Sequence, residues 1–115
     1  MPLLNLFLSK KPDDVKSEKI LSELSQIIAE CLGKPHSYMM VSISESKIFI
    51  SGSTESAAFA DLRSIGGINP NSTKLLSKKI CDYLYKQLGT EPDRIYCNFS
   101  DVAASNWGWN GSTFG

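Results

Sequence analysis

Two spacings of hydrophobic residues organise the chain. Leu3-Leu4-Asn5-Leu6-Phe7-Leu8 is an apolar run with almost no polar alternation, as expected of a strand with apolar side chains on both faces. Lys10-Lys11-Pro12 ends it. Leu21, Leu24, Ile27, Ile28, Cys31 and Leu32 then recur at intervals of three and four, which predicts a helix. Asp13 or Asp14 can cap its start, Gly33 can terminate it, and Pro35 forbids its continuation. Met39 to Ile43 reads as a second strand, and Glu45-Ser46 as a turn into a short partner strand, Ile48-Phe49-Ile50, that stops at Gly52. Phe59 to Ile65 reads as another strand, broken by Gly66-Gly67. Asn69 and Pro70 suit the cap and first position of a second helix, with Leu75, Leu76, Ile80, Leu84 and Leu88 as its apolar stripe and Gly89 at its end. Ile95 to Phe99 is a strand, and Trp107-Gly108-Trp109 predicts a last short one.

The order repeats. Leu32-Gly33-Lys34-Pro35 and Leu88-Gly89-Thr90-Glu91-Pro92 both close a helix and lead into a strand, with their glycines 89 − 33 = 56 residues apart. The same offset carries Leu3 onto Phe59, the start of the other pre-helix strand. The chain therefore predicts an α+β fold of two β-α-β halves, each a parallel strand pair covered by its helix. Joined edge to edge, the halves give a four-stranded mixed sheet with both helices on one face. The opposite face would then expose apolar residues from Leu3-Leu4, Leu6-Phe7 and Ile48-Phe49-Ile50. Such a face calls for a partner, and a closed homo-oligomer is the usual one.

Composition narrows the field. At 115 residues, 1–115 is expected to form a single domain with a real core. Twelve basic and twelve acidic side chains leave no net charge, so neither nucleic acid nor an anionic membrane is an expected partner. No apolar run approaches a membrane span, and the N-terminal stretch lacks the basic flank of a signal peptide. Three cysteines, Cys31, Cys81 and Cys97, form no CxxC pair and suggest reduced thiols in the cytoplasm. Asn71-Ser72-Thr73, Asn98-Phe99-Ser100 and Asn110-Gly111-Ser112 match the glycosylation pattern, but without a secretory route they read as chance matches. His36 has no second ligand near it in sequence, so no metal is expected, and no cofactor motif is present.

The chemically suggestive residue is Pro2. Loss of Met1 would turn its nitrogen from a tertiary amide into a secondary amine. A free α-amino group titrates at roughly 7.7–8.0, and apolar burial or a nearby cation lowers that towards the range of a general base.

With these residues in place, the sequence resembles the macrophage migration inhibitory factor family of the tautomerase superfamily. The resemblance runs over nearly the whole chain. It is carried by Met1-Pro2, Gly33-Lys34-Pro35 with Tyr38, Ser64-Ile65-Gly66, Pro92-Asp93-Arg94-Ile95-Tyr96-Cys97-Asn98, and Asn106-Trp107-Gly108-Trp109-Asn110-Gly111-Ser112-Thr113-Phe114. It implies a homotrimer in which three sheets wrap into a barrel, with an active site at each subunit boundary. It also implies keto–enol tautomerase activity on phenylpyruvate- and dopachrome-type substrates. Pro2 aligns with the catalytic base, Lys34 with the lysine that binds the substrate carboxylate, and Ile65 with a backbone N–H that shares that carboxylate. Tyr96 and Asn98 are implied to reach the pocket of a neighbouring subunit, and Tyr38, Trp107, Trp109 and Phe114 to form its aromatic and apolar rim. Export by a non-classical route and a cell-surface receptor are further implications of the family.

The chain departs from the family in three places. A CxxC of vertebrate members falls on Ala57-Ala58-Phe59-Ala60, so their dithiol chemistry is not expected here. Trp107 stands where a smaller apolar residue is usual. Lys10-Lys11-Pro12-Asp13 differs from the family's loop, which bears on receptor binding rather than catalysis. Two functions remain in view: an isomerase of aromatic α-keto acids, active only once Met1 is removed, or a receptor-binding cytokine mimic with a vestigial pocket.

Overall fold

Capping decides where both helices begin and end. The computed structural model describes all residues, 1–115. Helix α1 spans Asp14–Leu32, and the Asp13 side chain accepts the Lys16 N–H at 2.8 Å. At its other end Gly33 takes φ +64°, and the Lys34 and Gly33 amides fold back onto the Ala29 and Glu30 carbonyls. That left-handed turn costs glycine nothing and aims Lys34 off the end of the helix. Helix α2 spans Pro70–Leu88 behind a reciprocal cap: Asn69 Oδ1 accepts the Asn71 and Ser72 amides, and Ser72 Oγ accepts the Asn69 N–H.

Four strands form one mixed sheet. They are β1 (Pro2–Leu8), β2 (Met40–Glu45), β3 (Ala58–Ser64) and β4 (Ile95–Asp101), in the order β2-β1-β3-β4. Strands β1 and β2 run parallel, as do β3 and β4, while β1 and β3 meet antiparallel with Pro2 opposite Ser64. Each β-α-β unit predicted from the 56-residue offset is therefore present, and the two join through their first strands.

Leu4, Leu6 and Leu8 of β1 and Ala58, Ala60 and Leu62 of β3 point one way. They form the core with Ile20, Leu24 and Ile28 of α1 and Leu76, Ile80 and Leu84 of α2. The alternate residues Leu3, Asn5 and Phe7 are only half-buried, and the Phe7 and Phe59 rings stack on that second face at 5.9 Å between centroids.

Two segments differ from expectation. Ile48-Phe49-Ile50 is not a strand: only Ile50 pairs, in an isolated bridge to Ser53 across a turn in which Ser51 and Gly52 take positive φ. The buried Arg94 donates to the carbonyls of Ile50, Ser53, Glu55 and Ser56, so a side chain holds this segment beyond the one Ile50–Ser53 bridge. The predicted final strand exists as β5 (Gly108–Trp109), and pairs with a strand absent from the sequence reading, β6 (Ser112–Thr113). Asn110 and Gly111, both at positive φ, make the two-residue turn between them.

Candidate active site

The cleft lies where the start of β1, the end of α1 and the C-terminal hairpin meet, with a volume of about 1010 Å³ and mostly apolar walls. Pro2 is at its floor, with its side chain fully buried. Lys34 reaches in from the turn after α1, and its Nζ donates to the Ile65 carbonyl at 2.8 Å. Gly67 closes the turn beside it at a backbone φ of +82°, where a Cβ would stand 3.2 Å from Leu32 Cδ2 and in ordinary contact with Lys34 Cε at 3.8 Å.

The Ile65 N–H donates to the Met1 carbonyl at 3.3 Å. Burial first, and the Lys34 ammonium second, push the α-amine of Met1 below its ordinary value. The cleft thus weakens the protonated form of an amine at the chain end. Its Lys34 cation lies against Ile65, whose N–H the Met1 carbonyl holds; a cation and a backbone donor are a pairing suited to a carboxylate.

Tyr38, Trp107, Trp109 and Phe114 line the same cleft, with Met1, Met39 and Met40 among them. Trp109 and Phe114 stack at 5.8 Å, and the Phe114 N–H closes onto the Trp107 carbonyl at 3.2 Å. The wall is an aromatic surface for a flat apolar ring.

Tyr96 and Asn98 are not brought into this cleft. They lie on β4, two strands from β1, with their side chains exposed. Asp101 and Ser64 are supports that sequence reading missed. Asp101 Oδ1 accepts the Gly66 N–H at 3.0 Å, and Ser64 Oγ donates to the Gly66 carbonyl at 2.8 Å. Both act through backbone, which leaves no pattern in side-chain type.

No activated thiol lies elsewhere. Cys31, Cys81 and Cys97 are free, burial raises all three, and Cys97 is pushed up to about 12.

Comparison with known proteins adds a lineage to this geometry. The family model described as macrophage migration inhibitory factor matches residues 1–115. A homolog of that factor from Trichinella spiralis is 40% identical over 115 residues, 99% of this chain and 100% of its own. The factor from Meriones unguiculatus is 43% identical over 98 residues, 84% of this chain and 85% of its own. The crystal structure of a homologue from Prochlorococcus marinus superposes with a TM-score of 0.92 at 39% identity, covering 98% of this chain and 99% of its own.

Proposed function

The chain belongs to the macrophage migration inhibitory factor family, and on that premise we propose that it is a keto–enol tautomerase of aromatic α-keto acids whose base is the nitrogen of Pro2. The observation that carries this reading is the burial of Pro2 in an apolar cleft that also holds Lys34 and the Ile65 N–H. Substrate enters with its carboxylate towards Lys34 and Ile65 and its ring towards Trp107, Trp109 and Phe114. That orientation sets the carbon next to the carbonyl above Pro2. The neutral secondary amine removes a proton there, and the resulting ammonium returns one to the other end of the enol system. A base that titrates close to neutral pH serves both half-steps, and burial beside Lys34 moves the amine in that direction.

Met1 blocks this chemistry twice. It makes the Pro2 nitrogen an amide, and its carbonyl occupies the Ile65 N–H. Removal of Met1 therefore frees a base and a carboxylate donor in one cleavage. The test combines intact mass with a phenylpyruvate enolisation assay on the same sample. Protein lacking Met1 should turn over, and protein retaining it should not. Pro2→Gly, also without Met1, should lose about 10²–10⁴-fold in kcat, the usual worth of a positioned general base. Wild-type turnover by processed Pro2→Gly would end the assignment.

In the same reading the exposed sheet face is covered by two further copies. Tyr96 and Asn98 then serve the cleft of a neighbour, which accounts for their distance from the cleft of their own chain.

A further inference from the structure

Lys34 does not hang free in the cleft, and what holds it extends beyond the cleft wall. Its Nζ rests on the Ile65 carbonyl at 2.8 Å. That carbonyl belongs to the Ile65–Gly66 peptide, and the N–H of the same peptide donates to Asp101 Oδ1 at 3.0 Å. One peptide unit is therefore gripped at both ends, by a cation on its oxygen and an anion on its hydrogen. Hydrogen bonds in series polarise one another, so an acceptor oxygen on the Gly66 N–H makes the Ile65 oxygen a better acceptor for Lys34. The preceding peptide is fixed from the same place. Val102, directly after Asp101, donates its N–H to the Ser64 carbonyl at 2.8 Å, which turns the Ile65 N–H towards the cleft.

The segment needs such restraint. Gly66 and Gly67 both take positive φ, at +75° and +82°, and glycine moves between wells at little cost. Asp101 ends β4 opposite Ser64, is exposed, and forms no ion pair of its own. Its carboxylate oxygen is spent on a backbone hydrogen rather than on a cation.

Resting on the tautomerase reading, we propose that Asp101 is a positioning residue for carboxylate recognition: it fixes the Ile65–Gly66 peptide so that Lys34 and the Ile65 N–H converge on the substrate's carboxylate. It touches no reacting atom. The acceptor oxygen is what matters, and the negative charge is secondary.

The experiment uses protein without Met1 and two probes, phenylpyruvate and its methyl ester. In Asp101→Ala the KM for the acid should rise about three- to tenfold, the range expected for one hydrogen bond of this type, with kcat unchanged. The ester lacks the anionic group, so its KM should not move. Asp101→Asn keeps an acceptor oxygen and should return the acid's KM to within about twofold of wild type. Binding of both probes, followed by quenching of Trp107 and Trp109 fluorescence, should show the same pattern in Kd without depending on turnover. Equal losses for acid and ester, an unchanged acid Kd in Asp101→Ala, or an Asn variant as weak as Ala would each overturn the proposal. If wild-type protein binds the acid but does not turn it over, the tautomerase reading fails, and the Kd pattern still decides the role of Asp101. If it binds no acid at all, both fall.

Discussion

The Met1 amine shows what this cleft does to a nitrogen base, and the same two influences would act on the Pro2 amine once Met1 is removed. Burial and the Lys34 cation both disfavour an ammonium, so both lower its pKa. In processed protein the acid limb of kcat/KM should therefore fall below the pH at which an ordinary α-amine titrates. Lys34→Ala removes one of the two causes, so the Pro2 pKa should rise and the limb should move to higher pH. A pH–rate profile from pH 5 to 9 on both proteins checks the sign, and an unmoved limb would separate Lys34 from the base. Gly67 is the second residue on which the cleft depends. Alanine there must adopt φ +82° and crowd Leu32, so Gly67→Ala should lose about 1–2 kcal/mol in a denaturant titration. Wild-type stability in that variant would show that the loop relaxes freely.

Among the elements, the corners were legible and the crossings were not. Asn69-Pro70, Gly33 and Gly89 each carry a local steric or hydrogen-bonding reason, so the helix ends follow from single residues. The inward stripes and the parallel pairing of each half follow from periodicity and chain length. Lys34 on the Ile65 carbonyl joins residues far apart in sequence and has no local signature. Ile48-Phe49-Ile50 reads as a strand because its composition fits one, but Arg94 reaches across to bind the carbonyls from Ile50 to Ser56. The short strand β6 had a signal in Asn110-Gly111 that a turn-based reading would have used. Removal of the Arg94 guanidinium tests the crossing. Arg94→Met should cost about 3 kcal/mol, since it leaves carbonyls without donors, and should open the 50–56 segment to proteolysis before the rest of the chain. Cleavage elsewhere first would assign the segment's order to another contact.

The whole molecule carries one unfinished surface. Leu3, Phe7 and Phe59 on the sheet face away from the helices are a poor boundary with water, and Tyr96 and Asn98 stand on that side. Light scattering should return three times the 12.7 kDa of the chain, and a monomer mass would leave Tyr96 and Asn98 without a cleft to serve. The likeness of the two halves has a further consequence. Shifting Met1, Pro2 and Lys34 by 56 positions gives Ala57, Ala58 and Thr90. The bond from Ile65 N–H to the Met1 carbonyl has its twin in the bond from Ser9 N–H to the Ala57 carbonyl, at 3.0 Å. In that twin corner Ala57 is buried, and Thr90 spends its hydroxyl on Ser56 at 2.8 Å. The molecule thus carries the same hydrogen-bonded corner twice, once lining the open cleft and once with its alanine and threonine buried. The second corner keeps the corresponding backbone hydrogen bond but holds an alanine and a threonine where the first has Met1 and a lysine, so it is an internal comparison for what those two features add.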